Sequence, residues 1–148
     1  MAAAANTAPV NLFLHSLFSQ VDIQLKGTLI TSSTNIYPYR AILETLLSYG
    51  ENAKKTRLTS ALYYKDAAGQ MDTTALTAGD CVMSNEGLVK RSQRTNQSPV
   101  VDKIGRLHAD IFFQVRYMLN DVDVKIKLVR SKDVFCVMSA ADCKVMIT

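Results

Sequence analysis

The chain has 148 residues, 48% of them hydrophobic and 20% charged, with a formal net charge of +4. These values suit one folded domain and argue against intrinsic disorder. No apolar run approaches the roughly 18 residues that cross a bilayer, and three cysteines, Cys81, Cys136 and Cys143, are too few for a disulfide scaffold.

Residues 1–8 read as a flexible lead-in; with no basic residue and no hydrophobic segment, they do not read as a secretory signal. The remainder, 9–148, reads as one domain. Val10, Phe13, Leu14, Leu17 and Phe18 fall on one face of a short helix. Val21, Ile23 and Leu25 then alternate with Asp22, Gln24 and Lys26, which predicts a half-buried strand. Lys26-Gly27 turns the chain into a second strand over 28–31, a hairpin. A helix is predicted over 35–50, with Pro38 in its first turn, Tyr39, Ile42, Leu43, Leu46 and Leu47 as its apolar stripe, and Gly50 as a left-handed C-cap. A shorter helix follows over 51–60, then polar, Thr-rich chain, with a helical turn around 86–91. Leu107, Ala109, Ile111 and Phe113 alternate as a strand, and Val122, Val124, Ile126 and Leu128 do so more regularly after a turn at Asn120-Asp121. Residues 134–138 and 145–147 add strand-like runs. Six or seven strands with short helices inserted make an antiparallel β-sandwich the expected class.

No motif carries chemistry. The cysteine spacing fits no zinc pattern, and neither His15 nor His108 has a second ligand at metal spacing. His108 and Asp110 would share a strand face as an acid–base pair, but such neighbours are more often plain surface contacts. Asp121, Asp123, Lys125 and Lys127 share another face, best read as a solvated or cross-strand charge register. The densest basic stretch, Lys90, Arg91 and Arg94, is either a solvated loop or a phosphate contact, and no aromatic residue lies within it for base stacking.

Longer segments carry a resemblance. Pro9-Val10-Asn11 and Phe13 through Asp22, Asn35 through Ala41 with Glu44 through Gly50, Leu58 through Asp66, Gly69 through Asp72, Gly105 through Gln114, and Val122 through Ser131 resemble the major capsid protein of Maverick/Polinton transposons and their adintovirus relatives. The matches follow family order over most of residues 9–138. The resemblance implies a mainly β fold, an incomplete jelly-roll sandwich with short helical insertions, matching the middle and end of the first of two jelly rolls in longer family members. It implies a non-enzymatic structural protein that self-associates, as a trimer in the intact family, in a virion or otherwise inside the cell. Tyr39, Leu43 and Leu47 are the expected subunit contact. No cofactor, membrane or small-molecule substrate is expected. The alternative is a host-retained binding module that touches nucleic acid, through Lys90, Arg91 and Arg94, or intact capsid protein.

Overall fold

The computed structural model describes residues 7–76, 84–96, 100–139 and 145. Ala8–Pro9 (β1) leads into a single helical turn, Phe13–Ser16 (α1). The helix expected over 10–18 is cut short at both ends. Leu12 enters it in left-handed backbone (φ 51°), and Phe18 already belongs to the strand Phe18–Leu25 (β2). The hairpin forms as expected. Lys26 (φ 47°) and Gly27 (φ 81°) both take the positive φ that a two-residue hairpin turn demands, and Thr28–Leu29 (β3) pairs back on β2. Beyond β3, Ile30 N–H still donates to the Ile23 carbonyl at 2.9 Å.

Tyr37–Ser48 (α2) is the predicted helix, with Pro38 in its first turn. Its orientation is the surprise. The buried face is Tyr37, Ala41 and Thr45 at helical spacing, whereas of the predicted stripe Tyr39, Leu43, Leu46 and Leu47 point outward and Ile42 alone is half-buried, packed on Leu12, Ala61 and Tyr63. Gly50 is not a left-handed cap; it is extended (φ −71°, ψ 165°) and opens the next helix, Glu51–Lys55 (α3). A 3-10 turn, Arg57–Ala61, follows. Glu86–Thr95 (α4) is longer than the predicted turn because Asn85 caps it, its side chain accepting from the Gly87 and Leu88 amides.

The last third departs furthest from expectation. Residues 100–109 form no strand, and a 3-10 turn, Asp110–Phe113, replaces the predicted alternation. Val124–Arg130 (β4) is a true strand, antiparallel to β2 with Leu25 opposite Val124 and Val21 opposite Leu128. Asp133–Cys136 (α5) occupies most of the strand expected over 134–138, leaving Val137–Met138 (β5) to pair with β1. Of the run 145–147, only Val145 lies within the described residues.

The described chain therefore holds a three-stranded sheet, ordered β3-β2-β4, and a two-residue ribbon, β1-β5. The mainly β, incomplete jelly-roll sandwich is overturned: the structure is mixed, 35% helical and 17% strand. Two facing sheets need strands at 107–113 and 134–138, and local helical turns take both places. Among the described residues, three small apolar clusters replace a single sandwich core. Val21, Ile23, Tyr37 and Ala109 pack under β2; Leu12, Ala61 and Tyr63 pack beside α1; Leu17, Cys136, Val137 and Val145 pack near β5.

Candidate functional site

Two buried polar nodes and one uncovered apolar surface are the features from which a function can be built. The first node joins α1, α2 and the extended segment before the second 3-10 turn. His15 and His108 meet edge to face with ring centroids 4.8 Å apart. His15 Nδ1 lies 3.1 Å from the Tyr37 hydroxyl, which also accepts from the His108 amide at 3.4 Å. Having accepted that bond, the hydroxyl has its own proton to give to His15 Nδ1, which suits a neutral imidazole. Burial, reinforced by His108, lowers the His15 pKa to about 4. Burial raises the Tyr37 phenol.

His108 Nδ1 donates to Glu44 Oε2 at 2.7 Å, and Arg40 Nε donates to Glu44 Oε1 at 2.6 Å. Burial pushes the Glu44 carboxyl up, but the bonds from His108 and Arg40 outweigh it and hold the group below the usual range. The helix explains the arrangement, since Tyr37, Arg40 and Glu44 follow one another at spacings of three and four. The expected His108–Asp110 pair does not form. A 3-10 turn starts at Asp110, so the two no longer share a face; His108 is buried, while Asp110 is 87% exposed at its side chain and pairs with Arg40. The chain at Gly105 closes over the His15 ring, near enough that a Cβ there would sit 3.3 Å from His15 Nε2 and 2.7 Å from Leu14. The two imidazoles, through Tyr37 and Glu44, tie α1, α2 and the segment before the 3-10 turn together.

The second node is centred on Arg91, whose side chain is 1% exposed. Its Nε donates to the Pro9 carbonyl at 2.9 Å, and its terminal nitrogens reach the Tyr64 carbonyl and Asp66 Oδ1 at 3.1 and 2.8 Å. Asn85 and Asn11 side chains also donate to Asp66. Asp66 was not singled out from the sequence, nor were Asn11 and Asn85. The usable signal was that Gly87, Leu88 and Arg91 fall on one helix face. Of the three basic residues proposed to touch nucleic acid, Arg91 thus points inward as a structural tie. Lys90 and Arg94 remain on the exposed side, and Lys90 lies 3.9 Å from Glu86. A cleft of about 670 Å³ beside Lys90 sets Lys54, Lys55, Lys65 and Lys90 against Glu51, Asp66 and Glu86, so charges of both signs line it.

The uncovered surface has two parts. On α2, Tyr39 and Leu43 are each 57% exposed and Leu47 is 84% exposed. Tyr39 makes an edge contact with Phe135, the ring centroids 5.9 Å apart, at the rim of a groove of about 230 Å³. On the sheet, Val124, Ile126 and Leu128 of β4 are also exposed. The three expected contact residues thus lie together on one outer helix face, as the sequence spacing required.

Among the described residues no group of three His, Cys, Asp or Glu side chains could hold a metal ion, and no helix is long and apolar enough to cross a membrane. Cys136 is buried, its thiol pushed up by burial and bonded to the Ser16 carbonyl at 3.2 Å; Cys81 and Cys143 lie outside the described residues.

Comparison with known proteins adds one relative. The Caenorhabditis elegans "Uncharacterized protein F54H12.2" is 27% identical over 120 residues, a match covering 80% of this chain and 25% of that protein. The chain thus spans about a quarter of the length of the curated relative it matches. No family model matches the chain, and no solved structure matches it.

Proposed function

We propose that the chain is a non-enzymatic structural subunit of capsid type, acting by self-association into larger assemblies. The observation that carries this is the outward apolar stripe of α2, where Tyr39, Leu43 and Leu47 stand in solvent while Ala41 and Thr45 face the protein. An amphipathic helix normally buries its apolar side. Turning it outward is stable only at a cost in hydration that covering by another surface would recover, at roughly 25 cal/mol per Å² of apolar area. The likeness of residues 9–138 to Maverick/Polinton capsid proteins supports the same reading; the mixed fold lends it no weight. The buried nodes fit a structural role, since each ties together segments far apart in the chain.

Sedimentation velocity tests it. The wild type should form species larger than the monomer, and Leu43→Glu with Leu47→Glu should reduce them while leaving the far-ultraviolet circular dichroism unchanged, because both side chains are exposed. An unchanged size distribution would remove this surface from the assembly. The binding-module alternative keeps only Lys90 and Arg94 on the exposed side of α4, and no observation favours it.

A further inference from the structure

We propose that β4 is a self-complementary edge which pairs antiparallel with β4 of a second copy, centred on Val124. This rests on the self-association reading and names the strand and register through which it occurs. Among the described residues β4 has a neighbour on one side only, β2. Lys26 N–H donates to the Asp123 carbonyl at 3.0 Å, so the main-chain groups of Asp123, and by alternation those of Lys125 and Lys127, face β2. The N–H and C=O groups of Val122, Val124, Ile126 and Leu128 therefore face the open edge. An unpaired row of this kind is a template for another strand.

Charge selects which strand. The run Asp121-Val122-Asp123-Val124-Lys125-Ile126-Lys127 carries acids before Val124 and bases after it. A two-fold axis at Val124 sets Asp123 of each copy opposite Lys125 of the other and Val122 opposite Ile126, with Val124 facing its own counterpart. Asp121 is then brought up to Lys127 at each end; because Asp121 sits in left-handed backbone (φ 59°), the inner pairs fix the register. The neighbouring axes that the open edge permits are worse. Centring on Asp123 or on Lys125 sets that charge against its own counterpart, centring on Val122 opposes Asp121 to Asp123, and centring on Ile126 opposes Lys125 to Lys127, all like-charge pairings that destabilise. A second copy in one register is thus the occupant that the edge specifies, and its apolar face of Val124 and Ile126 becomes continuous across the two copies.

The test is a charge swap in the full chain, followed by sedimentation velocity across a concentration series. Lys125→Asp alone and Asp123→Lys alone should each weaken dimerisation by roughly tenfold or more. An equimolar mixture of the two should regain wild-type association, since every inner pair is again opposite in sign. Circular dichroism confirms that both variants fold. If the wild type associates and Lys125→Asp associates equally well, or if folded variants fail to rescue each other, the register is wrong while self-association stands through another surface. A wild type that stays monomeric at every accessible concentration overturns self-association itself.

Discussion

β2 and β4 are neighbours in one sheet with the same alternating pattern, yet they live in different environments. Ile23 and Ile126 face each other across the ladder; Ile23 is 0% exposed and Ile126 is 43% exposed. Tyr37, Ala109 and the half-buried Leu107, Ile111 and Phe112 cover the β2 side, and that cover stops before β4. Period two therefore tells which residues share a face, and says nothing about whether that face has a lid. The same holds for α2, whose period is helical but whose apolar stripe, Ile42 apart, is the outer one.

The sharpest contrast in stability should come from charged residues on the covered and uncovered sides. Arg91→Ala leaves Asp66 without its buried partner and strips donors from the Pro9 and Tyr64 carbonyls, which should cost about 3–5 kcal/mol in chemical denaturation. Lys90→Ala, one residue earlier on the exposed side, should change stability by no more than about 0.5 kcal/mol. Equal costs would mean that Arg91 is not buried as described.

The facing isoleucines follow. Ile23→Ala should destabilise the monomer by about 2–5 kcal/mol through lost burial and the cavity it leaves. Ile126→Ala should cost less than about 1 kcal/mol in dilute solution, where its side chain is already half in water, but should lower association at higher concentration. A large loss from Ile126→Ala in the dilute monomer would show that β4 is covered within a single chain.

The covered side should also carry an acid sensitivity that the uncovered side lacks. The folded His15 pKa, about 4, lies below the ordinary 6.5. Unfolded chain therefore binds this proton first as pH falls, and stability drops from about pH 6.5 down to about pH 4, by roughly 3 kcal/mol in all. The depressed Glu44 carboxyl adds a loss of the same sign at lower pH. Denaturation midpoints measured across this range should fall for the wild type and flatten for His15→Gln. A pH-independent wild type would contradict the buried imidazole.

What could be read from residues alone was local. The hairpin at 21–31 depends on alternation and a Lys-Gly turn, the helix over 37–48 on Pro38 and a 3.6-residue period, and β4 on its regular alternation. The missed parts depend on contacts between distant segments. Leu107 to Phe113 alternate as well as many strands do, but Tyr37 and β2 draw in Leu107, Ala109, Ile111 and Phe112, and the chain coils at Asp110 to place them. Nothing near His15 announces His108, and nothing near Arg91 announces Pro9 or Tyr64. The apolar stripe of α2 was found, but the side it faces is set by what else packs there.

Hydrogen–deuterium exchange at two protein concentrations tests most directly whether the uncovered half is an assembly surface. On raising the concentration, the amides of Val122, Val124, Ile126 and Leu128, which face the open edge, should gain protection while those of 18–25 stay unchanged. These four amides equally protected when dilute, or equally unprotected when concentrated, would contradict the account.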